Sequence, residues 1–322
     1  MKIVITGASG FLGAWISRLF AEASDVYCLV RQNSNTSRLI GVKNVTIINQ
    51  DEFLWKNSIL EIKPDVLIAN DWAGVGNSLR NSTSQSANVR RILDYCEVAR
   101  SLGVKTVVGV GSQAELGPIN TIINEQALSN PTTEYGKAKV LCRQSLEKLF
   151  DGTETRFIWM RIFSTYGPMD IGEWLIPNLV ESLSTNQEMK LTRCEQNWSY
   201  LHAYDLARAF KFAINHQDLK GIVNVGNPNI ISLKTVVNEI ARKMNSEHLL
   251  RFGEIPYRSD QVMNLMPACE TLISIGWKPT VGFESGITQT ISWLMGKKAN
   301  QLLSETGELL TFNLPARSEI FQ

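Results

Sequence analysis

Along the first 160 residues, short apolar runs rich in β-branched side chains alternate with longer stretches of helical amphipathic periodicity. Lys2–Thr6, Val26–Val30, Val45–Ile48, Val66–Ala69, Thr106–Val110 and Arg156–Arg161 predict strands. Phe11–Ala23, Leu54–Ile62, Ala87–Leu102 and Tyr135–Phe150 predict the helices between them. The strand runs are nearly continuously apolar, so helices should cover both sheet faces. Such a βαβα succession implies an α/β fold with a parallel, doubly wound sheet.

After about Tyr166 the alternation breaks down. Trp174–Leu183, Ala203–Asn215 and Leu233–Met244 predict helices, separated by short strands such as Ile222–Val225. The expected division is a dinucleotide-binding domain over 1–165 and a smaller substrate-binding lobe over 166–296, some of whose segments are free to return to the sheet. The less patterned extension 297–322 either wraps the surface or is partly mobile.

Composition changes this picture little. Of 322 residues, 44% are hydrophobic and 20% charged, with 32 basic against 31 acidic side chains and a net charge of +1. That balance offers no general attraction to nucleic acid or an anionic membrane, and no Lys/Arg run supplies a local one. No stretch approaches the ~20 apolar residues of a membrane helix, and the short N-terminal apolar run is broken by glycine. Cys28, Cys96, Cys142, Cys194 and Cys269 are widely spaced and form no C-x-x-C pair. They predict free thiols in a reducing, cytoplasmic setting, with no metal site.

The first predicted strand runs into Thr6-Gly7-Ala8-Ser9-Gly10-Phe11-Leu12-Gly13, directly before a predicted helix. In that context the loop is a Rossmann dinucleotide fingerprint. Gly7 permits the sharp turn, Gly10 lets the backbone approach a pyrophosphate, and Gly13 allows close helix–strand packing. The amides of Ser9, Phe11 and Leu12 then lie near the phosphates at the helix start. The second strand ends Leu29-Val30-Arg31-Gln32-Asn33-Ser34, with Arg38 behind. The acid that would bind an adenosine ribose is missing, and arginine suits a 2′-phosphate, so NADP(H) is expected. Asp51 stands where it meets the adenine edge or caps the following helix.

Tyr135 and Lys139 are four apart on a predicted helix and share a face. A phenol titrates near ~10, and a neighbouring ammonium favours its phenolate. Such a tyrosine exchanges a proton with a substrate oxygen as hydride moves. Ser112 follows the fifth strand, at the end of the sheet where ligands collect. His202 falls on a strand-like run and is expected to be structural.

This ordered set resembles the extended short-chain dehydrogenase/reductase family that acts on nucleotide sugars. The resemblance runs from residue 1 to about 296. It is carried by the glycine loop, Asn88-Val89, Gly111-Ser112 with Gly117, Tyr135 with Lys139, and Arg161–Pro168. It continues through Tyr200–Asp205 and Gly276-Trp277-Lys278-Pro279. It implies a catalytic triad of Ser112, Tyr135 and Lys139, Lys139 and Tyr135 also touching the nicotinamide ribose, and a sugar nucleotide in the C-terminal lobe. Dehydratases of the family carry Thr-Asp-Glu where this chain has Ser112, Gln113 and Ala114, and an amide and a methyl cannot do acid–base work. Glu115 should point elsewhere. Phe252–Met263 is similar to the corresponding segment of CDP-abequose synthases and related 4-keto-6-deoxy-sugar reductases, which makes Arg258 a ligand of the diphosphate.

Ser164 and Trp198 replace the Asn and Arg of many relatives. Trp198 either stacks on the base or packs in the lobe. The implied reaction is NADPH-dependent reduction of a nucleotide-linked 4-keto-6-deoxyhexose in deoxysugar biosynthesis. A nucleotide-sugar 4-epimerase and a non-catalytic NADP(H)-binding scaffold stay open. The resemblance also implies a homodimer through Ala87–Leu102 and Tyr135–Phe150, whose Ile92, Val98, Val140 and Leu146 either form that face or pack on the sheet.

Overall fold

A computed structural model describes residues 1–50, 54–258, 261–297 and 299–321; Asp51 lies outside the described residues. Seven parallel strands form the main sheet: β1 (Lys2–Thr6), β2 (Asp25–Val30), β3 (Val45–Asn49), β4 (Val66–Ala69), β5 (Thr106–Ser112), β6 (Arg156–Ile162) and β7 (Gly221–Val225). Their spatial order is β7-β6-β5-β4-β1-β2-β3. The chain starts in the middle, runs outward to β3, then crosses back to β4. That reversal opens a crevice between the carboxyl ends of β1 and β4.

The side-chain period of two explains why helices cover both faces. Ile3, Ile5, Ile68, Val108 and Val110 point to one side, where they pack with α1 (Phe11–Ala21) and α6 (Ala203–Asn215). Val4, Leu67, Val107 and Trp159 point to the other. There they meet α2 (Leu54–Ile62), α3 (Gln85–Ser101) and α4 (Glu134–Phe150). β3 departs from the expectation of strands buried on both faces. It is an edge strand, and its Ile47 is 46% exposed. The apolar run there made the strand without giving it a second neighbour.

Two findings bear on the second half. Gly221–Val225 returns to the main sheet as β7, pairing in parallel with β6. The remainder builds a smaller sheet centred on Asn197–His202, with α5 (Leu175–Ser184) and α7 (Leu233–Lys243) packed nearby. The extension after residue 296 wraps the protein. It forms a hairpin (Gln301–Leu303 with Leu309–Thr311) and buries Leu314 and Ile320. Trp293 Nε1 and Asn35 Nδ2 donate to its carbonyls at Pro315 and Ile320, 2.8 and 2.7 Å away. Ile92 and Leu146 lie inside the core under the sheet, whereas Val98 and Val140 are half-buried. All five cysteines are buried and unpaired. Among the described residues no helix is long and apolar enough to cross a membrane, and no residue group could hold a metal.

Two buried ionisable groups fix the packing around the crevice. Glu115 is fully buried in the turn after β5. Its carboxylate accepts the Ser112 backbone N–H at 2.8 Å and Trp159 Nε1 at 3.0 Å, and Arg143 and Arg161 each approach it to 3.6 Å. His202, with Trp15 and Tyr166 edge-on at 5.6 and 5.4 Å, accepts the Tyr204 amide on Nδ1. Its role is structural, and burial lowers its pKa to about 4.

Removing Glu115 takes the carboxylate partner from the fully buried Arg161, whereas Arg143 keeps Glu147 at 2.7 Å. Glu115→Ala should therefore cost about 3–5 kcal/mol in urea unfolding, and Glu115→Gln distinctly less. For His202 the folded value lies below the ordinary 6.5. Between the two, the unfolded chain binds a proton that the folded chain does not, so this contribution is lost as pH falls from 6.5 through 4. Urea midpoints at pH 7 and pH 4.5 should show His202→Asn to be less acid-sensitive than the parent protein, by on the order of 3 kcal/mol at most.

Candidate active site

The crevice holds a cleft of about 1290 Å³ lined by both halves of the chain. Its floor is the glycine loop. Gly7 takes φ +63°, and a Cβ there would stand 2.8 Å from the Asp71 Cα. At Gly13 a Cβ would lie 2.3 Å from the Gly7 carbonyl, so α1 sits this close to the turn only because glycine is present. Two loops are locked together beneath it, because Thr6 Oγ1 accepts the amides of Asn70 and Asp71, both at 3.0 Å. No side chain caps α1 and no acid sits in its first turn. An uncapped helix start behind a glycine turn is a cradle for a pyrophosphate, so the residues present fit a dinucleotide.

Ser9, Gly10, Phe11, Leu12, Arg31 and Arg38 line the cleft beside Gly7, at the end near β2. Arg31 is exposed on the rim. Arg38 is half-buried, and its guanidinium donates to the Met169 carbonyl at 3.0 Å and the Ser9 carbonyl at 3.2 Å. In this arrangement Arg38 braces the glycine loop. Nearby, burial pushes the Asp170 carboxyl up to about 6.

Ser112, Tyr135 and Lys139 meet on the opposite wall. Ser112 closes β5, buried, with its hydroxyl accepting the Ala114 amide at 3.2 Å. Tyr135 and Lys139 lie in the first turns of α4, whose start is capped by Thr133 accepting the Gly136 amide. The Lys139 ammonium donates to the Val110 carbonyl at 2.6 Å and sits 3.7 Å from the Trp72 ring centre. Burial lowers its pKa to about 8. Burial also pushes the Tyr135 phenol up, while the Ser112 hydroxyl and the Arg80 guanidinium pull it back.

The lobe supplies the remaining wall. Ser164, Trp198 and Arg258 all line the cleft, as does Gln113 next to Ser112. Trp198 packs in the lobe, one of the two expected placements. Its indole donates to the Val262 carbonyl at 3.1 Å and packs 6.4 Å from the Tyr200 ring, yet one side borders the cleft.

Asp71 and Arg80 escaped the sequence, and Asn88 was singled out there only as part of a motif. Asp71 accepts from Arg91 Nε at 2.6 Å, and Asn88 Oδ1 accepts the Ala73 amide at 2.9 Å, which fixes the loop carrying Trp72. Arg80 comes from the next turn of that loop. The only available signal for Glu115 was Ser112-x-x-Glu115, the spacing of a capping box, and that box is formed. Glu115 points away from the cleft.

Residues 3–226 match the NAD dependent epimerase/dehydratase family. A dTDP-4-dehydro-6-deoxyglucose reductase of Escherichia coli is 24% identical over 179 residues, 54% of this chain and 56% of that protein. A dTDP-D-glucose 4,6-dehydratase of Mus musculus is 24% identical over 184 residues, 55% and 52%. A CDP-abequose synthase of Salmonella muenchen is 25% identical over 142 residues, 42% and 47%. The chain thus spans about half the length of each of these curated relatives. In fold, it is similar to a UDP-glucose 4-epimerase of Thermus thermophilus in complex with NAD, with a TM-score of 0.79 and 21% identity over 92% of this chain and 99% of that one. The family match covers the glycine loop, Ser112, Tyr135 and Lys139 alike, and the chain belongs to the NAD dependent epimerase/dehydratase family.

Proposed function

We propose that this chain is an NADP(H)-dependent reductase of the C4 keto group of a nucleotide-linked 4-keto-6-deoxyhexose. The observation that carries the reading is the convergence of Ser112, Tyr135 and Lys139 on the wall facing the glycine loop, with Gln113 and Ala114 beside them. This set can move a proton to and from an oxygen. Dehydration needs a further acid and base at the sugar, and the two positions after Ser112 offer none. Among the described residues the cleft carboxylates are Asp71, Asp170 and Glu173. Asp71 is held by Arg91, and none of the three follows β5.

Bound reduced nicotinamide supplies hydride to the carbonyl carbon. Tyr135 gives its phenolic proton to the carbonyl oxygen, and the Ser112 hydroxyl holds that oxygen by a hydrogen bond. Lys139 steadies the charge left on Tyr135 until solvent restores the proton. The Trp72 ring packs against Lys139 and Tyr135, and apolar surface so close to them strengthens the charge effects between them. Arg258 grips the diphosphate, with Ser164, Gln113 and Trp198 along the sugar and base. Arg31, with no acid at the end of β2, favours the 2′-phosphate of NADP(H). Val98, Val140 and the exposed Leu141 leave a face on α3 and α4 for a second copy.

A 4-epimerase is the second reading, favoured by the near full-length likeness to the Thermus enzyme. Mixing the protein with NADPH and a 4-keto-6-deoxy sugar nucleotide separates the two. The reductase consumes absorbance at 340 nm in proportion to sugar. Unchanged absorbance with interconversion of two 4-hydroxy sugar nucleotides would establish the epimerase instead. Tyr135→Phe should lower kcat by about 10²–10⁴-fold with cofactor affinity kept; full turnover would remove Tyr135 from its role. Arg31→Asp should weaken NADPH about tenfold or more relative to NADH, measured by fluorescence titration. An unchanged preference would place cofactor selection elsewhere.

A further inference from the structure

Arg80 belongs to none of the motifs above, yet its guanidinium is centred 5.2 Å from the Tyr135 ring, closer than the 5.8 Å of the Lys139 ammonium. The Trp174 ring centre lies 5.9 Å from the same guanidinium. Among the described residues no carboxylate pairs with Arg80, and its buried Nε has no hydrogen-bond partner. Among the described residues no anion neutralises this charge, and two aromatic rings flank it.

Its position is fixed by backbone bonds. The Tyr135 amide donates to the Arg80 carbonyl at 2.8 Å, and the Glu134 amide to Asn81 Oδ1 at 3.3 Å. Gln85 Nε2 holds the same loop through the Gly74 and Leu79 carbonyls at 2.7 and 2.9 Å. The loop after β4 is thus stapled to the start of α4, and the cation moves with the tyrosine it faces.

We propose that Arg80 is a second, permanent cation of the active site, a positioning residue that stabilises the Tyr135 phenolate alongside Lys139. Two cations of different kind cover a wider pH range than one. Burial brings Lys139 down to about 8, so its charge fades above that point. A guanidinium, even lowered by burial, keeps its proton throughout the working range. The remaining charges around Tyr135 do not cancel it. Glu115, from the turn after β5, is engaged by Arg143 and Arg161, and Asp71, from the loop after β4, by Arg91. Glu134 on α4 itself pairs with Lys137. Glu173, ahead of α5, sits exposed on the rim, and Arg258 from the lobe adds further positive charge toward Arg80.

The inference rests on Tyr135 as the proton-transfer group, whichever substrate it serves. Phenolate absorbance at 295 nm, titrated with pH and corrected by subtracting Tyr135→Phe, follows this tyrosine without cofactor or sugar. Arg80→Gln and Arg80→Met should raise its midpoint by about one pH unit or more, and Arg80→Lys, whose ammonium loses its proton sooner than a guanidinium, should restore it only in part. In the reduction assay, where the tyrosine must hold its proton, the high-pH limb of kcat/KM should move up by the same amount in Arg80→Gln. Midpoints unchanged in both uncharged variants would overturn the proposal. If one uncharged variant does not fold, the other carries the comparison. A shifted midpoint in a protein that never oxidises NADPH would leave this inference standing and sink the reductase reading.

Discussion

Glu115 ties together the parts that must meet. It is fully buried, and its two oxygens receive the backbone N–H of Ser112 and the indole of Trp159 while two arginines stand 3.6 Å away. Those partners come from β5, β6 and α4. A carboxylate taken out of water is costly unless its acceptor sites are filled and its charge is matched, and here both conditions hold. The end of β5 and the helix that carries Tyr135 and Lys139 are thus locked to one anion. The spacing of serine from tyrosine follows from a group that touches neither the cleft nor any ligand.

The cleft has the opposite character. In the proposed reading its chemistry depends on cations that no carboxylate among the described residues pairs with. Lys139 is paired with a carbonyl and an aromatic ring instead of a carboxylate, and Arg80 is flanked by two rings. In such surroundings a cation acts strongly on a neighbouring phenol, because few mobile dipoles screen it. Burial alone would hold Tyr135 protonated, and the cations work against burial. A tyrosine balanced between the two exchanges its proton readily in either direction.

Much of this was legible in the chain because it is local. The glycine loop needs only a strand, a turn and a helix in sequence, and Gly7 and Gly13 occupy the two positions where a side chain collides with backbone. Tyr135 and Lys139 are brought together by one helical turn. What escaped depends on distant segments. Glu115 meets Arg161 from a strand far along the chain, and its orientation is set by which strand lies beside β5. Arg80 sits on an irregular loop with no periodicity to read. Ile222–Val225 carried a strand pattern, but nothing in a short apolar run says which sheet it will join. The extension beyond residue 296 lacks a pattern of its own because its bonds to Asn35 and Trp293 are made by its carbonyls. Val45–Ile48 erred the other way, its apolar residues predicting a buried strand where the sheet ends.

The central step of the proposed reaction is hydride reaching a sugar carbon while Tyr135 supplies the proton. Reduced cofactor deuterated at the transferring position, incubated with the protein and a 4-keto-6-deoxy sugar nucleotide, tests that directly by NMR of the product. Deuterium bound to C4 of the product sugar, one atom per cofactor oxidised, is the predicted result. A sugar product free of deuterium, with the label still in the cofactor after many turnovers, would contradict it.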